Sequence, residues 1–150
     1  MTKGELCYFP IFMNSFPPAD CPACVLLVDQ PSEMRHAIER TLTANGYQVH
    51  IATNRHEAAA EVRENEIHLV VMNMLMPHAE GIGTLMAIRS ISPTMKLIAM
   101  PGETGDQAGH FLPLAKSLGA SAILTHPLDH ELLLKTVRGL LSQELQQMAC

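Results

Sequence analysis

The segment His68-Leu69-Val70-Val71-Met72-Asn73-Met74-Leu75-Met76-Pro77 decides how this chain is read. Leu69 to Asn73 is a short apolar run without helical period, as expected of a strand covered on both faces. Pro77 lacks a backbone N–H and breaks regular structure, so a loop follows, spanning Pro77 to Gly81.

Working outward, the elements alternate in type. Val25-Leu26-Leu27-Val28 is a second continuous apolar run and reads as a central parallel strand. Residues 32–45 predict a helix with Met34, Ile38 and Leu42 on one face, joined by Ala37 and Thr41, and closed by Asn45-Gly46. Tyr47 to Ala52 alternates like a strand. Asn54 is placed to cap a helix reaching about Asn65, with Ala58, Ala59 and Val62 inward. Beyond the Pro77 loop, a helix is expected from about Ile82 to Ile91 and a strand over Met95 to Met100. Pro101 to Gly105 is a loop, and a helix over 107–118 is interrupted by Pro113 and capped by Gly119. Ser121 to Leu124 is the fifth strand. The last helix runs from Leu128 to about Gln147, with Leu132, Leu133, Val137, Leu140 and Leu141 at helical spacing.

Strands alternating with helices predict an α/β protein, a doubly wound (βα)5 three-layer sandwich with right-handed crossovers. The expected sheet is parallel and flavodoxin-like, in order 2-1-3-4-5. Ligand chemistry in such folds sits beyond the carboxyl ends of the strands, where strands 1 and 3 diverge. Topology alone therefore gathers Asp29, Gln30, Asn73, Pro101 and His126 around one pocket.

Composition limits the function. The chain has 150 residues, room for one domain, and 47% are hydrophobic, enough for a packed core. A net charge of −5, with Lys and Arg scattered singly, argues against a nucleic-acid surface. No apolar run approaches the ~20 residues that span a bilayer, and Pro10, Pro17 and Pro18 interrupt any signal-peptide core, so a cytoplasmic protein is expected. Residues 1–24 read as an extension to a domain over 25–147. Tyr8, Phe9, Phe12 and Phe16 there are four of the six Tyr and Phe residues. That segment packs across the domain, anchors on a partner or is disordered; clustered aromatics favour the first two. Cys7, Cys21 and Cys24 are placed in this extension and Cys150 at the far end, so none falls inside the expected domain. Cys21-Pro22-Ala23-Cys24 lacks a second ligand pair for zinc and reads as reduced thiols in a tail.

Several landmarks occur in order over about 25–146: Val25-Leu26-Leu27-Val28-Asp29-Gln30, then Met74-Leu75-Met76-Pro77-His78-Ala79-Glu80-Gly81, then Lys96-Leu97-Ile98-Ala99-Met100-Pro101-Gly102, then Leu118-Gly119-Ala120 and Leu124-Thr125-His126-Pro127. Together they resemble bacterial response-regulator receiver domains. The resemblance implies two-component signalling, in which an aspartate accepts a phosphoryl group from a histidine kinase beside a magnesium ion.

The departures fall on that chemistry. Asn73 stands at the phosphoacceptor position, and an amide oxygen is uncharged and a poor nucleophile. Asp29 keeps the first metal-binding acid, but Gln30 replaces the second. Magnesium prefers carboxylates and water, so its binding is expected to be weak or lost. Pro101 replaces the hydroxyl that holds the phosphoryl group, His126 replaces the lysine, and Ile123 stands at the aromatic switch position. Because phosphoryl transfer depends on positioning and charge stabilisation, the expectation is a non-enzymatic pseudo-receiver that needs no cofactor.

Nothing beyond the last helix reads as a DNA-binding or catalytic domain. Output is therefore expected through surfaces of helix 4 (107–118), strand 5 and helix 5, to a histidine kinase or another signalling protein, or to a second copy in a homodimer. Two other readings are an atypical phosphorelay member and a small-ligand or metal sensor using the neutralised pocket. Loss of carboxylate repulsion in the metal-free state and simple decay both account for the altered pocket. Met72, Met74, Met76 and Met100 read as core or as an adaptable contact surface. His78, His126 and His130 read as surface histidines rather than a metal cluster. Glu57, Glu61, Arg63, Glu64 and Glu66 read as a solvated helix face.

Overall fold

The computed structural model describes residues 22–74, 80–100, 113, 115–124 and 128–149. Its strands are β1 (Cys24–Val28), β2 (Gln48–Ala52), β3 (Leu69–Asn73), β4 (Lys96–Met100) and β5 (Ala122–Ile123). Its helices are α1 (Glu33–Ala44), α2 (Arg55–Glu64), α3 (Glu80–Ile91) and α4 (His130–Ala149). The strands are all parallel, in the order β2-β1-β3-β4-β5, the flavodoxin-like order read from the alternation of elements. Of the helix expected over 107–118, residues 113 and 115–117 are helical, and 101–112 and 114 lie outside the described residues.

Side chains on a strand alternate between faces, and here the alternation divides the core into two layers. Leu26, Val28, Val70, Met72, Leu97 and Ala99 face one side, against Ala58 of α2 and Leu85 and Ile88 of α3. Val25, Leu27, Leu69, Val71, Ile98 and Met100 face the other, against Ile38 and Leu42 of α1 and Leu133, Val137 and Leu140 of α4. A fully buried Leu or Ile contributes about 2 kcal/mol of transfer free energy. Such a sheet, apolar on both faces, is stable only between two helical layers.

Local signals set the helix ends. Ser32 caps α1 by accepting from the Arg35 N–H, and the helix closes at Asn45 with Gly46 at φ 91°, a left-handed conformation that favours glycine. Asn54 caps α2 as expected, accepting from the Glu57 N–H. Asp29 aside, the most connected polar side chain is Arg89 at the end of α3. Its guanidinium donates to the carbonyls of Pro93, Met95 and Gly119, tying α3 to the segments that enter β4 and β5.

Several readings need correction. Cys24 is not in a tail: it is the first residue of β1 and 6% exposed. Burial, reinforced by Glu66, pushes its thiol pKa up, which suits a packed thiol rather than a reactive one. Cys7, Cys21 and Cys150 lie outside the described residues. Two of the glutamates assigned to a solvated face make specific contacts. Glu57 accepts from the Thr53 N–H and hydroxyl, and Glu61 meets His50 of β2 at 2.9 Å and accepts from Asn65. On α4, Leu134 and Leu141 pack against the core, and Leu132, 48% exposed, is its large exposed apolar side chain among the described residues. Met72, Met74 and Met100 are core; Met76 lies outside the described residues. His130 opens α4, its Nδ1 2.9 Å from Thr41 Oγ1. The Thr41 hydroxyl donates to the Ala37 carbonyl, so the imidazole donates to it. His78 and His126 lie outside the described residues.

Candidate functional site at the carboxyl edge of the sheet

The register builds the site. Val28 of β1 pairs with Met72 of β3, so Asp29 and Asn73 are the next residues along adjacent strands. They occupy equivalent positions in the pleat, and their side chains leave on the same side. The Asn73 side-chain amide donates to Asp29 Oδ1 at 2.8 Å. The same oxygen accepts from the Gln30 backbone N–H at 2.7 Å. Asp29 is 2% exposed and Asn73 9%. A buried carboxylate needs such donors, because desolvating the charge is costly without them.

The surroundings hold this pair in place. The Asp29 N–H donates to Ala52 at the end of β2, and the Met74 N–H to Met100 at the end of β4. Both strands are therefore anchored up to the site. Gly81 approaches the backbone of Met74 so closely that a Cβ at 81 would lie 2.4 Å from the Met74 carbonyl oxygen. That contact gives a physical reason for glycine where α3 begins under the loop. Residues 75–79 of that loop lie outside the described residues.

Of the five residues that topology assigns to the pocket, Asp29 and Asn73 are in contact. Gln30 is adjacent but turns away: its amide donates to the Thr53 carbonyl at 2.8 Å, joining the end of β1 to the turn after β2. Thr53 was not anticipated as part of this region. The neighbouring positions of β1 and β2 were the available signal, since they set residue 53 beside residue 30. Pro101 and His126 lie outside the described residues. Ile123 is in β5, partly buried and packed against the layer that carries α2 and α3.

A divalent cation is the group that this fold family implies at such an edge, and the side chains here do not fit one. The position 2.8 Å from the Asp29 carboxylate is taken by an amide donor, whereas magnesium calls for further oxygen ligands. The second amide, Gln30, is committed to Thr53. Among the described residues no group of three His, Cys, Asp or Glu side chains is arranged to hold a metal ion.

Comparison with known proteins agrees with this architecture. The family model for the response regulator receiver domain matches residues 25–138. The chain is 29% identical over 113 residues to the CAI-1 autoinducer sensor kinase/phosphatase CqsS of Vibrio cholerae, covering 75% of this chain and 16% of that protein. It is 30% identical over 118 residues to the transcriptional regulatory protein ZraR of Salmonella typhimurium, covering 79% of this chain and 26% of that protein. The chain thus spans about a quarter or less of the length of these curated relatives. Among solved structures, a CheY-like receiver domain protein from Methanospirillum hungatei superposes with a TM-score of 0.73 at 23% identity, over 84% of this chain and 98% of that one.

Proposed function

The chain belongs to the response regulator receiver domain family, and from that premise we propose that it is a pseudo-receiver, a signalling module that works through protein–protein contact without being phosphorylated. One observation carries the reading: the Asn73 amide donates to Asp29 at 2.8 Å. Position 73 presents an N–H donor to the acid that would otherwise help to hold a cation. An amide offers no anionic oxygen to attack a phosphoryl donor, and it already neutralises part of the need for a cation beside Asp29. On this reading the protein is not an enzyme and requires no magnesium or other cofactor. The substitutions at Pro101 and His126 in the sequence support it further.

The partner is a protein, a histidine kinase or another signalling component, or a second copy of the chain. The contact surface comprises the segment before β5, β5 itself and α4, where Leu132 is exposed. The module acts in the cytoplasm; no helix among the described residues is long and apolar enough to cross a membrane.

Incubation with acetyl phosphate and magnesium, read by intact mass, tests the proposal, with beryllofluoride and amide NMR shifts as a second probe. The expected outcome is an unchanged mass and no shifts at Asp29, Asn73 or their neighbours. An acyl phosphate on the protein would overturn it.

A further inference from the structure

At the opposite edge of the sheet, β1 is held to β3 by a side chain rather than by the main-chain ladder alone. The Cys24 N–H donates to His68 Nδ1 at 2.9 Å, and the His68 N–H donates to the Cys24 carbonyl at 2.9 Å. One residue thus clamps both backbone groups of the first residue of β1. The Gln48 N–H donates to the Ala23 carbonyl from the β2 side, and the Cys24 thiol lies 3.7 Å from Gln48 Oε1. The imidazole stands where a carbonyl would continue the ladder, because the chain before β3 turns away, with the Ile67 N–H donating to Asn65.

We propose that His68 is a proton-operated latch on the entry of the chain into β1: a proton on Nδ1 removes the acceptor of the Cys24 amide and releases the amino edge of β1 from β3. A ring nitrogen that accepts an N–H cannot also carry a proton, and the two N–H groups would then face each other. The neutral ring is the resting form, since burial lowers the His68 pKa below its ordinary 6.5. Among the described residues the titratable groups bearing on it are Glu66, immediately ahead of β3, and the Cys24 thiol on β1. Glu66 favours the protonated ring and opposes burial, so the latch opens under mild acid without the loss of the fold. The remainder of β1 keeps its pairing from Val25–Leu69 onward. This device is independent of the carboxyl-edge site and of how that site signals.

Amide hydrogen exchange followed by NMR, from mildly alkaline to mildly acid pH, tests it, with His68 ring signals recorded in parallel. The expected result is a loss of protection at the Cys24 amide of about tenfold, the worth of one net hydrogen bond, after correction for intrinsic exchange. It should track His68 protonation while amides in the middle of β1 and β3 stay protected. In His68→Asn the side-chain oxygen replaces Nδ1 as acceptor and does not titrate, so Cys24 should stay protected throughout. In His68→Phe it should be unprotected at every pH. The proposal is overturned if the wild-type Cys24 amide stays protected as His68 protonates, if the asparagine variant shows the wild-type pH response, if the phenylalanine variant keeps protection, or if His68 takes up no proton short of global unfolding.

Discussion

Asn73 lies against Asp29 in a setting where two carboxylates would share one buried space. Replacing it by aspartate turns a donor–acceptor contact of 2.8 Å into a like-charge contact. One of the pair must then bind a proton or a cation. Asn73→Asp is predicted to lower the stability at neutral pH in chelator by roughly 3 kcal/mol, measured by urea denaturation, on the scale of breaking a buried charge pair. The sign with pH follows. A carboxyl pKa raised in the folded state means that the folded protein binds more protons, so the loss should shrink as the pH falls. Magnesium should restore part of it in the variant and leave the wild type unchanged. A variant as stable as the wild type in chelator would show that the carboxylate contact is relieved in some other way.

The helices show how far local sequence reaches. Asn54 accepts from the Glu57 N–H, and Glu57 answers by accepting from the Thr53 N–H and hydroxyl. Asn54→Ala is predicted to cost about 1 kcal/mol, read as a shift in the denaturation midpoint at constant slope. The hydrogen bonds from Thr53 hold the Glu57 carboxyl below its usual range. Its contribution is therefore present at neutral pH and lost as acid protonates it, and Glu57→Gln should flatten the acid limb of the stability curve. These caps, the apolar runs of β1 and β3 and the Gly46 turn were legible because each depends on neighbours in sequence. The first residue of β1 was not, because the partner that holds Cys24 in place, His68, lies 44 positions away. Gln30 was legible as a substitution but not as a brace, since its acceptor is a backbone carbonyl beyond another strand. The helix before β5 showed only in part, as Pro113 obscures its periodicity.

For the molecule as a whole, the two-layer core follows from strand parity, and the site follows from register and topology, so its location could be argued before any side chain was placed. What that argument could not supply was the direction of each side chain at the edge. Surface chemistry gives a further expectation. Leu132, 48% exposed on α4, belongs to the face proposed for contact. If a second copy covers it, sedimentation at high micromolar concentration should show a dimer that Leu132→Asp returns to monomer. A wild type that stays monomeric would leave that face to a different protein.

Arg89 sets where any rearrangement between states has to turn. Its guanidinium is bound to carbonyls on the approaches to both β4 and β5, and burial lowers its pKa without taking it near neutrality. The two strands farthest from β2 are thereby riveted at one end. A signal passing to a partner through β4 and β5 must tilt them about that rivet, so the free travel lies at the end carrying Asn73 and Met100.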